Sequence, residues 1–365
     1  MSNLDSFVEI NLSVVKSNYL KLCAIASSSK VGATVKSDGY GLGLKEISTT
    51  LYSAGCRNFF VHKIEEGAKL RSLFLDVNIF ILHGLFTGEE EDIIYYNLIP
   101  VLNNIPQVET LYNYLKKQNI TLLPQVALHV DTGINRLGMV EDEVNWFHKN
   151  EEKLLQHFKV GYIISHLSNS FDQDSYYNTM QLENFCKLKN SFRNVQASLA
   201  NSSGIFLGSN YHFDLVRPGA ANYGINPTPK LASPVVNPVR LVSKIIQIVN
   251  LTKCSYVGYN LTYLAPANSK IATISIGYAN GFPRSFSQKG KIFLNNIALP
   301  VVGQVSMNLV TIDVTHVPSQ LLYIGQEVEI IGKSMSIDEF AKLANISPYE
   351  LLIDIGKLTT KKYIT

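Results

Sequence analysis

No stretch of this 365-residue chain approaches the roughly 18 uninterrupted apolar residues that cross a bilayer. Its start, MSNLDSFVEINLS, lacks a basic segment followed by an apolar run, so the expectation is a cytoplasmic protein with no membrane partner. Blocks of five or six like charges are also absent. With a formal net charge of +3 and 17% charged residues, there is no electrostatic footprint for a polyanion, and nucleic acid is not an expected partner. Cysteine is scarce, and Cys23, Cys56, Cys186 and Cys254 show no CxxC spacing. They read as reduced, buried thiols, not as a disulfide framework or a zinc site, and no metal is expected. There is no fixed-period repeat and no low-complexity tail.

The length exceeds one typical domain. From residue 31 to about 219, short apolar or β-branched runs alternate with longer amphipathic stretches, the rhythm of a parallel sheet. Eight runs are present: 31–36, 58–62, 77–84, 98–104, 123–131, 160–167, 195–202 and 213–219. Helices are expected between them in KIEEGAKLRSL, VETLYNYLKKQ, EDEVNWFHKNEEKLLQHF and YYNTMQLENFCKLKNSF. The fold class is therefore α/β, a (β/α)8 TIM-type barrel. After about residue 235 the segments become β-rich, as in VRLVSKIIQIVNL and KIFLNNIALPVVGQ, and predict a second, mainly antiparallel domain. NPTPKLASPVVNP carries four of the 13 prolines and marks the boundary. The expected division is an N-terminal strand at 1–12 packing with the β domain, a barrel at 13–233 and the β domain at 234–365. SIDEFAKLANI begins with a serine N-cap signal and reads as a short helix.

A barrel of this kind places its reacting groups where strands run out. The run-ends carry Lys36, His62, His83, Asn104, His129 with Asp131, His166, Ser202 and Arg217. In ATVKSDGYGLG an apolar strand delivers Lys36 and a glycine-rich turn follows. Desolvation there lowers the amine pKa and favours a neutral nucleophile able to form a Schiff base. LANSSG and RPGAANYG, the ends of runs seven and eight, offer Ser202, Ser203, Gly204, Gly219 and Ala220 for close backbone approach to a phosphate. Ordinary turn chemistry uses the same residue types. Lysine at strand one with phosphate donors at strands seven and eight points to a phosphorylated aldehyde.

Across nearly its whole length the sequence resembles the alanine racemase family, through FVEINL, VKSDGYG, HVDTGINRLGM, SHLSNS, ANSSG, VRPGAANYG, VGYNLTY, IGYANGFPR and GQVSMN. The resemblance implies a pyridoxal 5'-phosphate enzyme acting on a small amino acid, with Lys36 bearing the cofactor and serving as one base. Tyr259 is then the base on the opposite face of the substrate, because a proton removed by one base must be returned by the other. A tyrosine hydroxyl ordinarily titrates at about 10, so that role needs a nearby cation. By the same resemblance Arg136 contacts this tyrosine and the substrate carboxylate, and the backbone N–H of Met307 binds the carboxylate. Arg217 faces the pyridine nitrogen and, as an always-charged donor, leaves it unprotonated. His166 belongs to the network around these groups, and Tyr40, Asn201, Ser202, Gly219, Ala220 and Tyr223 fall at cofactor and phosphate positions. The family builds each site from two subunits, so a homodimer is expected, supplying D-alanine for cell-wall peptidoglycan.

The chain departs from the family at His129, where many members carry a lysine, often carbamylated, that orients the arginine. A neutral imidazole has no negative charge to offer, which leaves Arg136 to another carboxylate or an anion. Asn308 and Asn280 replace acidic residues near substrate access, and Lys357 is the nearest candidate for a C-terminal phosphate contact. Alternatives are a racemase of another small amino acid such as serine, a pyridoxal-phosphate decarboxylase, a cofactor carrier and a low-activity relative. Arg217 argues against decarboxylation, and a β domain carrying Tyr259 has no purpose in a carrier.

Overall fold

The computed structural model describes residues 5–118 and 123–365; residues 1–4 of the expected N-terminal strand lie outside them. The chain divides into two compact units, one of Val15–Gly39 with Leu44–Val235, the other of residues up to Val14 with Tyr40–Gly43 and Val236–Thr365.

The first unit is a parallel barrel. Seven strands pair in chain order: Ala33–Thr34, Asn58–Val61, Asn78–Ile81, Ile99–Leu102, Gln125–His129, Lys159–Ile164 and Gln196–Ser198. The eighth, Leu215–Val216, pairs in parallel with Lys30–Val31 and so returns to the first. Asp214 N donates to Ala197 O at 3.1 Å and Arg217 N to Ala200 O at 2.9 Å, which closes the remaining seam. Gly32 lets the first strand serve both neighbours, since a Cβ there would lie 2.8 Å from the Phe60 ring. Phe60, Phe80, Val101, Ala127, Tyr162 and Leu215 fill the interior. Phe60 stacks on Phe80 with centroids 4.4 Å apart, and burial of each such ring contributes about 1.5–3 kcal/mol.

The expected helices form with shifted ends. Ile105–Lys117 buries Val108, Leu111 and Leu115, one stripe at helical spacing. Asn104 caps it, accepting from Gln107 N at 3.0 Å. Glu141–Leu154 and Tyr176–Lys189 follow the same logic. Runs seven and eight shrink to three and two strand residues, because Pro218 has no N–H to donate and the chain breaks into 3-10 turns at Gly204–Leu207 and Ala220–Tyr223.

The second unit holds an eight-stranded sheet in the order Ser269–Ile274, Val310–Asp313, Ile297–Val302, Lys291–Leu294, Glu327–Ile331, Val239–Leu251, Ser6–Asn11 and Thr360–Ile364. Val239–Leu251 reaches Ser6–Asn11, Glu327–Ile331 and Ser269–Ile274 by passing through a bulge between Ile245 and Gln247. Only Thr360–Ile364 against Ser6–Asn11 is parallel in this sheet. The Ser336 hydroxyl accepts from Glu339 N at 3.2 Å and opens the helix Ile337–Ala344. The cysteines depart from expectation: all four are free, but only Cys56 is buried, and Cys254 is exposed in the loop after Val239–Leu251.

Candidate active site

Lys36 follows the first barrel strand directly. Beyond it Ser37, Asp38, Gly39 and Tyr40 all take positive φ, at 57°, 57°, 62° and 56°. The expected glycine-rich turn is thus a left-handed turn, a conformation that costs non-glycine residues about 1–2 kcal/mol each. Asp38 holds it, its carboxylate accepting from Leu44 N at 2.8 Å while its own N–H donates to Glu66 Oε1 at 3.2 Å. Gly39 N donates back to Val35 O at 2.9 Å. Burial, then the Arg136 charge, lower the Lys36 amine, and Glu66 opposes them. Lys36 is thereby shifted toward the neutral amine that nucleophilic and base chemistry require.

Of the other barrel-rim groups, Arg136 is the cation whose charge acts on this amine. Arg217, 6% exposed, donates to the Ser198 hydroxyl and to Ser165 O, and its Cζ lies 5.9 Å from the centre of the Phe60 ring. Burial pushes it down to about 9, still above neutrality. Burial, followed by Arg217 and Arg136, holds His166 well below its ordinary value. His129 is pushed down to about 4 by burial and then by Arg217. Both imidazoles are therefore neutral at physiological pH. Arg136 is exposed and makes no ion pair among the described residues, so no carboxylate takes over the role that an acidic group beside it would play.

The two loops expected to serve a phosphate are held by internal bonds. The Ser202 hydroxyl accepts from Gly219 N at 2.9 Å and Ala221 N at 3.1 Å, leaving its own hydrogen to donate. Asn201 Oδ1 accepts from Ser170 Oγ at 2.8 Å and Gly204 N at 2.9 Å, and Tyr223 OH donates to Thr34 O at 3.1 Å. Ala220 opens the 3-10 turn that ends at Tyr223. Lys36, Arg136, His166, Asn201, Ser202, Arg217, Gly219, Ala220 and Tyr223 thus belong to one unit.

Tyr40, Tyr259 and Met307 belong to the other. Tyr40 is buried with its ring centroid 6.3 Å from that of Tyr349, and burial raises its hydroxyl pKa. Tyr259 is 69% exposed and Met307 56%. Both line an open cleft of about 490 Å³ with Tyr278, Arg284, Gln304 and Asn308. Asn280 serves its own turn: its Oδ1 accepts from Gly277 N at 3.2 Å and its carbonyl from the Thr359 hydroxyl at 2.8 Å. Lys357 is exposed in the last turn of Pro348–Leu358.

Sequence reading missed Asn103, Ser165 and Ser198, which touch His129 or Arg217. Asn104, singled out at the end of run four, is the helix cap, and its neighbour Asn103 meets His129 Nδ1 at 2.7 Å. The adjacent pair Asn103–Asn104 contained the signal, but only the strand's facing decides between them. His62 and His83 sit edge to face, centroids 5.5 Å apart, with His83 Nε2 3.3 Å from Glu89 Oε2.

Residues 10–227 match the family described as alanine racemase, N-terminal domain, and residues 238–363 match alanine racemase, C-terminal domain. The chain is 48% identical over 358 residues to an alanine racemase of Rickettsia conorii, covering 98% of each. It also superposes on the alanine racemase of Bartonella henselae with covalently bound pyridoxal phosphate, at TM-score 0.93 and 34% identity over 99% of both chains. The biosynthetic alanine racemase of Pseudomonas aeruginosa gives TM-score 0.90 at 27% identity, over 99% of this chain and 100% of that one.

Proposed function

This chain belongs to the alanine racemase family, the pyridoxal-phosphate-dependent isomerases, and we propose that it interconverts L- and D-alanine by two bases, Lys36 and Tyr259 of the partner subunit. The observation that carries this reading is the half-buried Lys36 amine, lowered by burial and by Arg136, in the same barrel as the buried Arg217.

The residues present fit the cofactor. Its phosphate is an anion, and the Ser202 hydroxyl, which accepts from Gly219 N and Ala221 N, keeps a hydrogen to donate to it; its aldehyde requires a neutral amine, toward which Lys36 is shifted. Lys36 would hold it through its amine, Arg217 would face the ring nitrogen, and Tyr40, Asn201, Ser202, Gly219, Ala220 and Tyr223 would serve the phosphate end, with His166 behind them. Bound there, pyridoxal phosphate supplies a conjugated ring that spreads the charge left when the α-proton departs. Arg217 donates to Ser198 and Ser165 and, as a permanent donor, would leave the nitrogen of a bound ring unprotonated and so restrain transamination. Lys36 Nζ takes or returns the proton on one face of Cα, and the Tyr259 hydroxyl does so on the other. Arg136 and the Met307 amide hold the carboxylate.

Tyr259 and Met307 belong to the β unit and are exposed, as are Leu261 and Leu264 nearby in sequence. Exposed apolar side chains gathered beside a reactive tyrosine support a homodimer in which each site takes residues from both subunits. We read residues 13–233 as the cofactor-binding barrel and 234–365 as the domain that completes the partner's site. No described helix is long and apolar enough to cross a membrane; we place the enzyme in the cytoplasm, supplying D-alanine for peptidoglycan. The test is incubation with pyridoxal phosphate and L-alanine in deuterated water. D-alanine formed with deuterium at Cα supports the reading; exchange without inversion removes one of the two bases, and neither signal removes the activity.

A further inference from the structure

The C-terminal helix and strand, Pro348–Leu358 and Thr360–Ile364, close on one short segment of the same unit, Tyr40–Gly43. Tyr349, Ile353 and Gly356 are spaced by four and three residues and share one helix face. The Tyr349 ring lies 6.3 Å from the Tyr40 ring, centroid to centroid. One turn on, a Cβ at Gly41 would lie 2.8 Å from Ile353 O, and a Cβ at Gly356 would lie 2.5 Å from Gly41 O. Neither side of that contact has room for a larger residue.

The strand that follows points alternate side chains to opposite sides. Lys361 Nζ donates to Gly41 O at 2.9 Å, and the Tyr363 hydroxyl donates to Leu42 O at 2.9 Å. Lys362, between them, turns away and lies 3.7 Å from Glu9 Oε2. Two successive carbonyls after Tyr40 are thus anchored by one strand face.

Tyr40 requires such anchors. Its φ is 56°, followed by 84° at Gly41, and a bulky side chain keeps a left-handed backbone only where the surroundings over-determine it. On the N-terminal side Gly39 N donates to Val35 O at 2.9 Å. On the C-terminal side the donors are Lys361 and Tyr363.

We propose that Lys361 and Tyr363 are positioning residues for the cofactor phosphate: by fixing the carbonyls of Gly41 and Leu42 they hold Tyr40 in its left-handed conformation, so that the C-terminal strand governs how tightly a phosphorylated cofactor binds. This rests on the phosphate role given to Tyr40 above.

The test titrates the full chain, stripped of cofactor, with pyridoxal 5'-phosphate and with pyridoxal, which carries the same aldehyde and no phosphate. Binding is read from the absorbance change as the aldehyde meets Lys36. Tyr40→Phe should weaken pyridoxal 5'-phosphate about tenfold, the scale of one hydrogen bond to a charged group, and leave pyridoxal unchanged. Lys361→Met should reproduce most of that selective loss. Tyr363→Phe removes the second anchor without altering charge and should act in the same direction. Should Lys361→Met not fold, Gly356→Ala supplies the measurement, because its Cβ displaces Gly41 with both donors intact. In the double variant Lys361→Met/Tyr40→Phe the two losses should not add, since both act through one hydroxyl. Equal weakening of both ligands, the mark of a merely structural role, overturns the proposal, as do additive losses. A Tyr40→Phe protein that binds both ligands as wild type does removes the phosphate role of Tyr40, and this proposal with it. A selective loss in Tyr40→Phe with wild-type affinities in Lys361→Met and Gly356→Ala overturns the anchoring alone.

Discussion

Tyr223 donates its hydroxyl to the main-chain carbonyl of Thr34 at 3.1 Å, tying the loop after the eighth barrel strand to the strand that delivers Lys36. Both residues are buried. Tyr223→Phe should therefore leave a buried carbonyl without this donor and cost about 1–3 kcal/mol. Urea denaturation at fixed protein concentration measures the loss, and a midpoint equal to wild type would show that the bond carries no stability.

Arg217 is fixed by Ser198 and Ser165 in the barrel interior. Arg217→Glu would place a proton-sharing carboxylate where a permanent donor stands. The ring nitrogen would then be protonated, and the ring would become a stronger electron sink. Racemisation should fall by about two orders of magnitude or more, while pyruvate formed per racemisation event rises. Coupled detection of pyruvate beside chiral analysis of alanine reads both, and unchanged partitioning would remove Arg217 from the ring.

His129 sets an acid limit on stability. Its folded value is about 4 against an ordinary 6.5, so the unfolded chain binds more protons between those two pH values. Stability is then fully present above about 6.5 and is lost as pH falls toward about 4, by about 3 kcal/mol from this group. His166, lowered in the same direction, adds to the loss. Denaturation curves taken down this window should show a shallower slope for His129→Gln than for wild type, and parallel slopes would contradict the assignment.

The barrel was legible because its strands are buried on both faces and read as apolar runs, whereas the helices between them repeat at 3.6 residues. Run eight left two strand residues, Leu215–Val216, because Pro218 accepts from Thr34 N at 2.8 Å but has no N–H to donate in return. The strand Thr360–Ile364, TKKYI, carries too few apolar residues to announce itself and exists by pairing with Ser6–Asn11. The hairpin Ser255–Val257 with Tyr263–Ala265, which presents Tyr259, is likewise made by partner strands and not by local pattern. Lys36 and Arg217 could be named from strand ends, yet their electrostatic setting could not. Whether Asn103 or Asn104 faces the interior depends on one residue of register, and the left-handed turn at Ser37–Tyr40 is set by Asp38 accepting Leu44 N, a contact six residues away.

The two-subunit, two-base account is tested most directly by mixing two inactive proteins. Lys36→Ala lacks the cofactor-bearing amine, and Tyr259→Phe lacks the opposite base. After subunit exchange, half the dimers pair one of each, and in those dimers one site carries both changes while the other carries neither. Recovered alanine racemisation of about a quarter of wild type is the expected result, and a mixture as inactive as its components would contradict the account.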